Sequence, residues 1–174
     1  MTSLLQRPTT QASSSYFKRY IDQVEGNDIL KALLEQKANT LQFAQDLPGD
    51  KWEWAYAPNK WTIKEVMIHL IDTERVFAYR ALRFARHDQT PLPGFEQDDY
   101  VIGARASQRS VASVLREYQA VRAASLALFE SLDEAAMLNI GTASNSPFSP
   151  LALAYVIAGH ELHHMKIIQE RYLV

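Results

Sequence analysis

Three of the five histidines in this 174-residue chain fall within one run of six residues, Gly159-His160-Glu161-Leu162-His163-His164. On a helix, His160 and His164 lie one turn apart on the same face, a spacing at which two imidazoles can reach one metal ion. Two ligands make an incomplete site, because a catalytic zinc-type centre has three protein ligands and an open position. His163 forms a competing i, i+3 pair with His160. His164 is preferred because it continues the apolar face Val156, Ile157, His160, Ile167 and Ile168, which leaves His163 at the rim. The candidate third ligand is His69, three residues after Val66 and four before Thr73 on the edge of another helical stripe. It points into or beside the core rather than to bulk water.

His69, His160 and His164 together suit zinc, nickel, copper or iron, and three neutral imidazoles leave coordination positions open for water or substrate. A cation there lowers the pKa of bound water toward about 7 and can deprotonate a bound thiol. Asp72, Glu161 and His163 are candidates to support the ligands by hydrogen bonding to their free ring nitrogens, which would fix their tautomers. His160-Glu161-Leu162-His163-His164 also fits the pattern H-E-x-x-H of zinc proteases. That reading is disfavoured, because the further ligand usually lies downstream and the chain ends about ten residues later. No Gly-rich phosphate loop and no G-x-S-x-G stand in the sequence.

The totals narrow the classes further. With no cysteine, disulfides, thiolate ligands and a cysteine nucleophile are excluded, so a metal must be held by nitrogen and oxygen. A formal charge of -2 gives no electrostatic case for nucleic acid or an anionic membrane. Hydrophobic content of 47% with 22% charged residues is that of a soluble globular protein, and no apolar run approaches the ~18 residues of a membrane span. Residues 1–15 lack the apolar core of a signal peptide; they read as a disordered tail ahead of one domain, 16–174, in a cytoplasmic protein.

The elements that must position the histidines can be read from caps and stripes. Tyr16 to Val24 reads as a short helix or turn, and Asp28 caps a first long helix running to about Asp46, stopped by Pro48-Gly49. Thr62-Ile63-Lys64-Glu65 is a capping box flanked by the staple pair Trp61 and Val66, opening a second helix that carries His69 and runs to about Arg86. About twenty residues, His87 to Ser107, then connect to a third helix capped by Ser107 or Ser110. A connection that long can let helices two and three run parallel. A polar loop, Asp133 to Ser149, follows. Ser149-Pro150 then opens a fourth helix, Leu151 to Leu173, whose inward face includes Leu153, Val156, His160 and His164. No strand-like alternation or repeat stands out. Four amphipathic helices make an all-α, four-helix bundle, in which metal sites are built from inward side chains of facing helices.

Three stretches, KWTIKEVMIHLIDTERVFAYRALRFAR at 60–86, TPLPGFEQDDYV at 90–101 and AGHELHHMKIIQERYL at 158–173, resemble the DinB/YfiT-like superfamily of metalloenzymes, and the resemblance runs from Tyr16 to Leu173. It implies an up-down-down-up bundle and a divalent ion, zinc or nickel, on His69, His160 and His164. It also implies a homodimer. Characterised relatives couple a low-molecular-weight thiol such as bacillithiol or mycothiol to an electrophile, so the expected partners are a small-molecule thiol and an electrophilic substrate, with neither nucleic acid nor membrane. The leading expectation is a metal-dependent thiol S-transferase. The alternatives are a metal-dependent hydrolase that activates water, and a non-enzymatic metal-binding bundle.

Overall fold

The computed structural model describes residues 7–8 and 15–173. Four long helices carry the architecture: α2 (Ile29–Asp46), α3 (Ile63–Ala85), α5 (Val111–Glu130) and α7 (Pro150–Ile167). Short elements fill the gaps: α1 (Ser15–Ile21), α4 (Gln97–Gly103), α6 (Glu134–Leu138) and the strands β1 (Gly141–Ala143) and β2 (Ser146–Phe148). The starts are set by side chains that satisfy the free amides of each first turn. Asp28 accepts from Lys31 N–H, Ser110 from Ser113 N–H, and Ser149 from Ala152 N–H. Thr62 and Glu65 form the full capping box.

Cross-helix pairs give the directions. Lys64 bonds the Arg109 carbonyl, Arg75 pairs with Glu117 and Glu74 with Arg122, so α3 and α5 run parallel. Gln36 bonds the Ala158 carbonyl and Thr40 bonds Glu161, so α2 and α7 are parallel as well. His69 meets His160 while Trp61 meets Tyr172, so α3 and α7 are antiparallel. The bundle is up-down-down-up.

Helix α7 is its axis. Every residue from Pro150 to Glu161 is buried, which fits a helix that is apolar on all sides. The single inward face read from the sequence is therefore corrected to a central helix packed all round. Helix α1 lies directly on it at Gly159, where a Cβ would overlap the Tyr20 carbonyl. The α-helix ends at Ile167 and continues as a π-helical segment, Ile168–Tyr172, rather than as regular helix to Leu173. The tail expected over 1–15 lies, apart from Arg7, Pro8 and Ser15, outside the described residues. Arg7 and Pro8 are half-buried, and Arg7 Nη2 donates to the Ile21 carbonyl at 2.6 Å.

The two connections hold more structure than the sequence reading gave them. The first contains α4. The second contains α6 and a hairpin, β1 pairing antiparallel with β2 around Ser144-Asn145. Both turn residues have left-handed φ, 51° and 58°, as a two-residue hairpin turn requires. Three-residue strands are too short for alternation to register, and the turn lacks the usual glycine. Leu92 adds a parallel bridge to Ala143, which ties the first connection to the hairpin. Among the described residues no helix is long and apolar enough to cross a membrane.

Candidate metal centre

His69 comes from α3, two turns beyond the capping box, and His160 and His164 from the last two turns of α7. Their side chains converge. His160 Nε2 lies 3.1 Å from His69 Nε2 and 3.1 Å from His164 Nε2. One ring nitrogen from each of the three falls within 4.8 Å of the others. A ring nitrogen carries either a proton or a lone pair, so His160 Nε2 cannot both donate to one neighbour and accept from the other. A cation resolves this: a tetrahedral ion with bonds of about 2.0–2.1 Å holds its ligands roughly 3.3 Å apart. The donor set fits a divalent ion.

The electrostatics suit the same role. His69 and His160 are buried, at 3% and 7% exposure, and His164 is half-buried. Burial pushes the His69 imidazole down to about 4 and, with help from His69 and His163, that of His164 to about 3. His160 is held well below its ordinary value, first by burial and then by the neighbouring histidines. All three are neutral at physiological pH, the state in which imidazole ligates a metal.

Neighbours fix the rings. With Nε2 unprotonated, His69 Nδ1–H points at Thr73 Oγ1, 3.4 Å away, and the Trp61 ring lies 4.8 Å from the imidazole. Tyr172 Oη donates to the Trp61 carbonyl at 2.8 Å, so the end of the chain braces the start of α3. Tyr20 of α1 packs edge-on against His160 at 5.3 Å and His163 at 5.5 Å. His163 stays outside the converging set and packs at 5.3 Å against the His164 ring.

The two acids expected beside the histidines sit elsewhere. Asp72 pairs with Arg75 at 3.5 Å, and the hydroxyl beside His69 is that of Thr73, which the sequence reading had only as a stripe residue. Glu161 points to the other side of α7, because adjacent helical residues diverge by about 100°. There it accepts from Tyr118 Oη at 2.8 Å and Thr40 Oγ1 at 2.6 Å, and pairs with Arg122. Arg122 is wholly buried and holds Glu74 through three bonds, two at 2.9 Å and one at 3.2 Å. Burial alone would lower the Arg122 pKa, but Glu161 and Glu74 outweigh it and raise it. Arg122 gave no signal in the sequence beyond a charge on an apolar stripe.

A cleft of about 430 Å³ opens onto the site. His69, Thr73, Phe77 and Arg80 line it from α3, His160 from α7, and Tyr16, Phe17 and Tyr20 from α1; Phe95 and Ser144 close it from the two connections. A larger cleft of about 610 Å³ between α2 and α7 is lined by Thr40, Glu161 and Met165 but by no histidine. Of the candidate ligands, His69 and His160 line the smaller one.

Residues 32–168 match the family model of the DinB superfamily. Among solved structures, YfiT from Bacillus subtilis is similar, described as a probable metal-dependent hydrolase with an unusual four-helix bundle topology. Its TM-score is 0.71 over 94% of this chain and 90% of that one, at 16% identity, a likeness of fold. No curated protein matches.

Proposed function

The chain belongs to the DinB superfamily, and from that premise we propose that it is a divalent-metal enzyme that activates a low-molecular-weight thiol for attack on an electrophile. The observation that carries this is the convergence of three neutral imidazoles on one point beside a cleft, with no carboxylate hydrogen-bonded to any of them among the described residues. His69, His160 and His164 would hold the ion, zinc or nickel, which when bound supplies Lewis acidity that lowers a thiol's pKa below its free value. Thr73 orients His69, and Tyr20 and Trp61 shield the imidazoles from water. Deprotonating water is harder than deprotonating a thiol and gains from a positioned base. Glu161, the base an H-E-x-x-H protease would use, is committed to Arg122, Tyr118 and Thr40.

Metal-loaded protein is to be assayed with bacillithiol, mycothiol, glutathione and coenzyme A against monochlorobimane. We expect metal-dependent acceleration with at least one thiol; none with any of them would sink the reading. The description of YfiT favours hydrolysis as a second reading. Turnover of a p-nitrophenyl ester without added thiol, abolished by His69→Ala, would select it.

A further inference from the structure

His69, Thr73, Phe77 and Arg80 follow one another at intervals of four, four and three residues, one continuous face of α3. All four line the histidine cleft. From His69 to Arg80 is three turns, about 16 Å along the helix axis.

Arg80 is buried at 3% exposure, yet no carboxylate pairs with it among the described residues. The residues outside that set, 1–6, 9–14 and 174, contain no aspartate or glutamate. Its Nη2 donates to the Pro93 carbonyl at 2.8 Å and to Ser144 Oγ at 3.1 Å, which leaves Nε and Nη1 without a bond among the described residues. The guanidinium carbon lies 5.6 Å from the Phe77 ring centre and 5.9 Å from that of Phe95. Desolvation pulls the Arg80 pKa down, but a guanidinium remains charged in any protein. Buried charges are ordinarily paired. The contrast is within the molecule: Arg122, wholly buried, is met by two carboxylates.

We propose that Arg80 is the anion-recognition residue of the cleft and binds a carboxylate at the far end of a substrate whose reacting group lies at the three histidines. The placement of the reacting group rests on the metal-enzyme reading above. A carboxylate suits the site better than a phosphate dianion, because one cation faces the cleft from α3 and Glu96 and Asp98 stand at its mouth. Those two acids are exposed, so water and salt screen them, whereas the buried guanidinium is screened far less. Pro93 and Ser144 hold the fork in place, and the Leu92–Ala143 bridge holds Pro93 and Ser144.

The test is a molecular ruler. Cobalt(II)-loaded protein is titrated with ω-mercapto carboxylic acids of increasing chain length and with the matching ω-mercapto alcohols, following the thiolate-to-cobalt absorption band. At the length that spans the cleft, the acid should bind about tenfold or more tightly than the alcohol, the worth of one hydrogen bond to a charged group. Arg80→Gln should erase that preference while leaving cobalt stoichiometry and alcohol affinity unchanged, and Arg80→Lys should keep part of it. Equal binding of acid and alcohol at every length in the wild-type protein overturns the proposal, and that comparison needs no variant to fold. If no thiol gives a cobalt band, the metal reading fails instead. Arg80 is then judged on the metal-free protein: octanoate should raise Tm more than octanol does, and equal shifts overturn the proposal.

Discussion

At the scale of single residues, the three histidines divide labour with neighbours that hold and cover their rings. His69→Ala removes one of the three proposed ligands, and metal affinity should fall by more than about 100-fold, the upper end of what loss of a supporting partner costs; calorimetric titration reads it directly. Thr73→Val should cost about tenfold by the same measurement. Glu161→Gln separates two readings of the H-E-x-x-H string. Because its carboxylate faces Arg122, the substitution should leave metal affinity intact and lower stability. An acid-dependent loss is expected of the metal-free protein as well. Unfolded imidazoles take up protons near 6.5, while folded His69 waits until about 4 and His164 until about 3. Between those values the unfolded state binds more protons. Stability should therefore fall as pH drops from about 6.5 to about 3, as urea titrations across that range would record.

At the scale of elements, two contacts decide how closely the helices pack. One is the charged cluster joining α2, α3, α5 and α7, in which Arg122 serves Glu74, Glu161 and the Leu33 carbonyl. Arg122→Met strands two buried carboxylates and should cost about 3–5 kcal/mol in chemical denaturation. Replacing all three charged residues by apolar ones of similar volume should recover most of that loss, since such clusters are often no more stable than the apolar packing that can replace them. The other is the seat of α1 on α7. Gly159→Ala would force the Tyr20 carbonyl outward, with an expected loss of about 1–3 kcal/mol. Tyr20 would then no longer cover His160.

At the scale of the whole molecule, an ion that binds only the folded chain adds to its stability. At a hundred times its dissociation constant the gain is about 2.7 kcal/mol, or roughly 5–10 °C in Tm for a domain of this size. Thermal scans with and without chelator should show that difference. Much of the bundle was legible in the sequence, because caps and stripes are local: Asp28, Thr62 with Glu65, and Ser149-Pro150 each start a helix where their side chains predict it. The histidine triplet was legible for the same reason, as spacing on two helices. Side-chain direction around α7 was not. Glu161 is adjacent to His160 in the chain and faces away from it in space, and its partner Arg122 is 39 residues distant. Nor was the Ser144-Asn145 hairpin, whose strands are too short to carry a pattern. Arg80 reads in the sequence as a solvated helix-face charge beside Glu74, because a cation on a helix passes for surface until the loops that bury it are in place; in the structure it is buried and Glu74 pairs with Arg122 instead.

Because nothing larger than hydrogen fits between the Tyr20 carbonyl and α7, position 159 is a readable marker in sequences that share this arrangement. A chain with glycine just before the first histidine of the pair can lay a helix backbone across its imidazoles. A chain with any larger residue there must leave that flank to water or cover it by other means. One letter beside a histidine thus sorts such sequences into roofed and open-sided sites before any of them is solved.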